Sequence, residues 1–165
     1  MELRSATATD APAVAAVQER GWQRAYRHVF PPDELDRGGF IEVERWRRRL
    51  AVPPPSWATF VADLDGRVAG FVCVGASRDV RRCGEVYAIY VDPDAWRRGL
   101  GRTLLGQAEA ELARRWDVAS LWVLEENERA RGFYASAGWE PDGARKRETR
   151  FGVTAAELRY RKRLA

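Results

Sequence analysis

GEVYAIYVDPDAWRRGLGRTLLGQAEAEL, residues 84–112, decides the fold. It opens with a run of β-branched and aromatic side chains that halts at Pro93, the pattern of a strand ended by a residue that cannot donate to a ladder. From about residue 98 to about 115 the apolar positions Leu100, Leu104, Ala108 and Leu112 recur four apart. That is the stripe of a helix that must face a sheet or another helix. Gly99 and Gly101 stand at its mouth, with Arg97, Arg98 and Arg102 around them. A helix N-terminus leaves backbone N–H groups without partners, and glycine lets a bulky anion approach them. The loop therefore suits phosphate, although two glycines that only shape a tight strand-to-helix turn fit the same letters. It is not a P-loop, because G-x-x-x-x-G-K-[ST] is absent, and Leu104 stands where the dinucleotide fingerprint needs its third glycine.

Working outward, WATFVADLDGRVAGFVCVGAS at 57–77 gives two β-rich runs around Asp65-Gly66, a dipeptide that favours a tight hairpin. PPPS at 53–56 is a loop, with helices before it and strands after. Residues 1–7 read as a short strand, and Asp10 with Pro12 opens a helix through AVAAVQERGWQRAY at 13–26. A second helix is predicted over about 39–51, where RWRRRL at 45–50 spaces Trp46 and Leu50 four apart beneath a solvated basic face. Downstream, ASLWVLEEN at 119–127 reads as a buried strand. A helix follows from 128, with Ala130, Phe133, Tyr134 and Ala137 on one side and Gly138 as its stop. AAELRYRKRL at 155–164 alternates like a closing strand. Strands and helices mix without strict βαβ repetition. The expected class is α+β (mixed α/β), one domain over 1–165, with a central, mostly antiparallel sheet flanked by helices.

Composition excludes several functions. The chain has 165 residues, 45% hydrophobic and 32% charged, which is globular usage and enough to bury a sizeable core. No run of apolar residues is long enough to span a membrane. MELRSATATD has no apolar signal core, so a cytoplasmic location is expected. Cys73 and Cys83 are too few for a disulfide framework and lack metal-ligand spacing, and His28 is the single histidine, so no metal site is expected. The formal net charge is +4, and all but Lys146 and Lys162 of the 28 basic residues are arginine. Arginine richness runs through the entire chain, and no recognised nucleic-acid motif accompanies it.

The runs EVYAIYVDPDAWRRGLGRTLL at 85–105 and NERARGFYASAGW at 127–139 together resemble the GCN5-related N-acetyltransferases (GNAT), which bind acetyl-coenzyme A. The likeness covers nearly the whole chain. In that family the first run is the strand, pyrophosphate loop and helix of the motif [QR]-x-x-G-x-[GA], and the second carries an Asn and a Tyr before a Gly-aromatic pair. One departure is visible: Trp96 occupies the place of the motif's first Gln or Arg.

The resemblance implies that amides around Arg97, Arg98, Gly99, Gly101, Arg102 and Thr103 hold the pyrophosphate. It implies that backbone groups along Ile89, Tyr90 and Val91 pair with the pantetheine arm, as an added strand does at a sheet edge. The strands of 85–91 and 119–125 are then expected to splay apart. Asn127 matches a family residue that touches the cofactor, and it equally fits a helix N-cap. The chemistry implied is direct attack of a neutral amine on the thioester. A lysine-like amine is only about one part in 2,500 neutral at pH 7, a cost of roughly 4 to 5 kcal/mol. Glu85 matches a glutamate often found at this place and is the candidate base, directly or through water. Tyr134 matches the tyrosine that protonates or hydrogen-bonds the departing thiolate and also touches the cofactor. The first two helices form the acceptor side in similar enzymes, which nominates Trp22 and Tyr26, one turn apart, beside Glu85. Both aromatic residues fit a core role as well.

Three functions follow in order. The first is an acetyl-CoA-dependent N-acetyltransferase acting on a primary amine of a small molecule, peptide or protein, without a metal, nucleic acid or membrane partner. The second is a noncatalytic acyl-CoA-sensing module of the same fold. The third is a basic nucleic-acid-binding domain, suggested only by arginine content and a pI of about 9.4. The sequence names neither the acceptor nor the oligomeric state, a homodimer being common among similar proteins.

Overall fold

The structure is a computed structural model and describes residues 1–164. Seven strands form one sheet: β1 (Glu2–Ser5), β2 (Ala58–Leu64), β3 (Arg67–Ala76), β4 (Gly84–Val91), β5 (Val118–Leu124), β6 (Glu140–Arg150) and β7 (Val153–Arg163). Their order is β1-β2-β3-β4-β5-β7-β6. Every neighbouring pair is antiparallel except β4 with β5. The helices are α1 (Ala11–Ala25), α2 (Pro32–Arg37), α3 (Val43–Ala51), α4 (Leu100–Ala113) and α5 (Glu128–Ser136). The mixed α/β class with a mostly antiparallel sheet flanked by helices is the observed one.

Each face of the sheet is covered for a reason the sequence supplies. On one face, Leu100, Leu104, Ala108 and Leu112 of α4 are all buried, together with Leu105. They pack with Val72, Val86 and Leu121 of the sheet, and with Tyr134 of α5. Each buried leucine contributes about 1.5 to 3 kcal/mol. On the other face, Val14 and Val17 of α1 and Trp46 of α3 pack on Val61, Phe71 and Cys73. Asp65 and Gly66 both take positive φ, 54° and 79°, which is the turn that matches strand twist in a two-residue hairpin.

Three elements differ from the sequence expectation. The second helix begins at Val43 rather than near 39, because Gly38 and Gly39 stand at φ 67° and 74° just before it. A short helix, α2, comes earlier, with Pro32 at its first position and Asp33 and Glu34 in its first turn. The strand β6 was not expected, since EPDGARKRETR carries a proline, a glycine and seven charges. It is an edge strand, exposed along most of its length, and edges tolerate such residues.

One detail of the sheet makes the site. In β4, Val86 pairs with Val74 and Ala88 with Cys73, so Tyr87 is left over as a bulge. β4 pairs with β5 only over Gly84–Val86 against Ala119–Leu121. Beyond these three pairs the two parallel strands part, as expected.

Candidate active site

The parting of β4 from β5 opens a cleft of about 1120 Å³. Val86 to Val91 form one wall and Leu121 to Leu124 the other, with the start of α4, the end of α1 and the face of α5 around them. Ile89, Tyr90 and Val91 pair with Val72, Phe71 and Gly70 on their inner side, which leaves their other edge to the cleft. The Val91 carbonyl accepts from the Trp96 indole N–H at 2.8 Å, so one of its lone pairs is spent.

The glycine loop sits at the mouth of this cleft. Gly99 caps α4 at φ 82°, the left-handed region that favours glycine, and a Cβ there would meet nothing within 4 Å. The first intrahelical bond runs from the Thr103 amide to the Gly99 carbonyl at 3.0 Å. The amides of Leu100, Gly101 and Arg102 precede it and are the orphan donors of the helix end. A Cβ on Gly101 would stand 3.4 Å from the Phe133 ring, so bulk there is limited on one side only. Arg97, Gly99, Gly101 and Arg102 line the cleft. Arg98 and Thr103 do not, and the Thr103 amide is already spent within the helix. The open strand edge and the free amides fit an extended ligand with a pyrophosphate near one end, as coenzyme A has.

Tyr134 lies on α5, is 8% exposed and lines the cleft. Burial raises its phenol well above the ordinary value, and the nearby Tyr90 adds to the shift. Asn127 also lines the cleft, and its Oδ1 accepts the Ala130 amide at 3.1 Å, so the cap role is realised at a cleft position. Trp22 of α1 and Tyr26, the residue that ends it, stand edge to face with centroids 4.9 Å apart. The Trp22 indole donates to the Tyr90 hydroxyl at 2.8 Å, and both aromatics line the cleft. They are also part of an apolar cluster with Phe30, Phe40 and Phe151, so packing and lining coincide.

Glu85 is placed differently. Its side chain is 1% exposed and does not line the cleft. Oε2 accepts the Arg78 backbone amide at 2.9 Å, while Oε1 accepts the Arg78 Nε at 3.1 Å and also its Nη2. Arg78 is what the cleft meets, with a side chain 59% exposed. A guanidinium thus stands between the expected base and any amine in the cleft.

The cleft is also lined by residues that sequence reasoning missed: Arg78, Tyr87, Trp122, Lys146, Glu148, Arg150 and Glu157. Most lie on β6 and β7, and without β6 no pattern in the letters brought Lys146, Glu148 and Arg150 onto one face. The alternation along RKRETR was the available signal.

Among the described residues no group of three His, Cys, Asp or Glu converges as a metal site, and no helix is long and apolar enough to cross a membrane. A parted parallel pair, a helix end with free amides at the mouth of the gap and a buried tyrosine lining it are the features an acyltransferase scaffold would need. Residues 19–139 match the sequence model of the acetyltransferase (GNAT) family, and the chain belongs to that family. It is 33% identical over 130 residues to the uncharacterized N-acetyltransferase YuaI of Bacillus subtilis, covering 76% of this chain and 72% of the relative. Among solved structures it resembles the PaiA N-acetyltransferase of Thermoplasma acidophilum in complex with coenzyme A. The TM-score is 0.72 at 18% identity, with 98% of both chains covered. It also resembles yncA of Salmonella typhimurium with its cofactor acetyl-CoA. There the TM-score is 0.73 at 20% identity, over 100% of this chain and 94% of the other.

Proposed function

We propose that this chain transfers the acetyl group of acetyl-coenzyme A to a primary amine by direct attack. The observation that carries the reading is the separation of β4 from β5 in front of the Gly99–Gly101 helix end, with Tyr134 lining the gap. Acetyl-coenzyme A, when bound, supplies the thioester carbonyl that the amine attacks. The amides of Leu100, Gly101 and Arg102 hold the pyrophosphate, and the open edge of Ile89–Val91 orients the pantetheine arm. Trp22 and Tyr26 wall the acceptor side and exclude water. The Tyr134 hydroxyl keeps its proton, because burial raises its pKa, and presents it as a donor where negative charge develops on sulfur. The proton shed by the amine leaves through water rather than to Glu85, whose two oxygens are both taken by Arg78.

A second reading, a noncatalytic acyl-CoA-sensing module, draws on the Arg78 pair that occupies both Glu85 oxygens. One experiment separates the two: thiol release from acetyl-coenzyme A against a panel of primary amines, beside the melting temperature with the cofactor. Amine-dependent release supports the transferase. Stabilisation without release from any amine supports the sensor.

A further inference from the structure

Arg78 is fixed before any ligand arrives. Its backbone amide and its Nε–Nη2 edge are both held by the fully buried Glu85. Its guanidinium carbon lies 5.0 Å from the centre of the Tyr87 ring, and the Tyr87 hydroxyl is itself tied to the Ala76 carbonyl. Tyr87 stands there because it is the bulge of β4. A guanidinium has five donors in a planar fork, and Glu85 takes one edge, so the Nη1 side remains for the cleft that Arg78 lines. Holding the fork in advance lowers the ordering cost of binding.

The other charges at this end of the cleft are matched by one another. Lys146 Nζ is 3.3 Å from Glu148 and 3.4 Å from Glu157, and Arg150 is 3.0 Å from Glu148. Burial pushes the Glu148 carboxyl up, but Lys146, Arg150 and Arg78 together hold it below its ordinary value. Its bonds go to Lys146 and Arg150, and the outward donors of Arg78 have no carboxylate of their own among the described residues. Arg78 is bonded to Glu85 at the start of β4, whereas the glycine loop follows its end at Val91, about 20 Å away at about 3.3 Å per residue.

We propose that Arg78, clamped by Glu85, anchors a carboxylate carried beside the reacting amine, so that the acceptors of this site are amino acids or similar aminocarboxylates. Glu85 is then a positioning residue that acts through Arg78. This rests on the transferase reading above.

The test compares L-phenylalanine, L-phenylalaninamide and phenethylamine as acceptors, with kcat/KM expressed per neutral amine. Wild type is expected to favour the carboxylate by at least about tenfold, the factor that a charge-assisted pair supplies. Because Arg78→Gln alone leaves a buried carboxylate unpaired, Arg78→Gln/Glu85→Gln is the decisive variant. It is expected to bring the three acceptors to similar kcat/KM and to weaken calorimetric binding of L-phenylalanine to the coenzyme A-loaded protein. Glu85→Gln is expected to raise KM for L-phenylalanine while the pH profile of kcat keeps its shape. Equal use of the three amines by wild type, or a preference that survives in the double variant, overturns the anchor. A pH limb lost in Glu85→Gln with the preference intact overturns it too, since Glu85 is then the base. No thiol release from any of the three, with release from another amine of the panel, overturns the anchor alone, as does release without preference; no release from the whole panel overturns anchor and transferase together.

Discussion

The guanidinium carbon of Arg129 lies 3.5 Å from the centre of the Trp96 ring. Trp96 is the position where the family motif has Gln or Arg. The stack returns a cation to that place from the first turn of α5. Burial lowers the Arg129 pKa, with Arg97 and then Arg24 adding to the effect, and no carboxylate offsets these three among the described residues. Such a cluster at the rim of the cleft is suited to the phosphates of coenzyme A. Arg129→Ala is expected to weaken coenzyme A by about 10- to 150-fold, the roughly 1.5 to 3 kcal/mol of a hydrogen bond to a charged group. Calorimetry at low and high salt checks this: the loss must shrink as screening rises. Equal affinities at low salt remove Arg129 from the site.

Gly101 offers a cleaner test of the loop. Its Cβ position has the Phe133 ring at 3.4 Å on one side, and its amide is among those left free at the start of α4. Acetyl-coenzyme A at about 100 times its Kd stabilises a native-only binder by about 2.7 kcal/mol, so the melting temperature of the wild type should rise. Gly101→Glu sets a carboxylate where the pyrophosphate belongs and is expected to abolish that rise, with the far-UV spectrum unchanged. A folded variant that still gains stability from the cofactor would falsify the loop assignment.

The elements legible in the letters were those with strong local signals. The α4 stripe, the Asp65-Gly66 turn and the Pro93 stop each state their structure within a few residues. β6 was hidden because its strand character comes from pairing with β7, as in Arg147 with Ala156 and Thr149 with Thr154, rather than from its own composition. The same holds at the site. Tyr134, Asn127, Trp22 and Tyr26 reach the cleft from helices whose faces are periodic in sequence. Glu85 was legible as a residue but not as a partner. Its bond to Arg78 depends on β3 and β4 bringing Gly75 opposite Glu85, a register fixed by the bulge at Tyr87.

Stability at acid pH is expected to hinge on the start of the chain. Asp10, 8% exposed, receives both Arg4 guanidinium nitrogens, at 2.8 and 2.9 Å, and the Thr7 amide at 2.8 Å. The Arg4 hydrogen bonds are the largest cause holding its carboxyl down, to about 2 against an ordinary 3.8. A depressed folded pKa stabilises the native state above the unfolded value, and that contribution is lost as pH falls through the folded one. It is worth about 2 kcal/mol at neutral pH. Urea unfolding from pH 6 to pH 2 should show Asp10→Asn less stable by about that amount at pH 6, with the difference closing between about pH 4 and pH 2. A difference that stays constant over this range would mean that the ion pair is not its source.

Tyr134→Phe removes one hydroxyl and leaves the ring between Phe133, Trp139 and Tyr160. Among the described residues none is hydrogen-bonded to that hydroxyl, so its loss strands no partner and the fold should keep its melting temperature. A donor that strengthens only as charge builds on sulfur acts in the transition state, so turnover should fall while the coenzyme A Kd hardly moves. By comparison with removal of one oxyanion donor, the barrier is expected to rise by about 2 to 4 kcal/mol. Because burial raises the phenol above its ordinary pKa, the wild-type hydroxyl stays protonated through neutral and mildly alkaline pH. No loss of wild-type turnover attributable to Tyr134 ionisation is therefore expected below about pH 10. Steady-state acetylation of the best amine by both proteins from pH 7 to pH 10, beside coenzyme A titrations, tests each part. Wild-type turnover in Tyr134→Phe removes the hydroxyl from the chemistry, and a parallel loss of cofactor affinity reassigns it to binding.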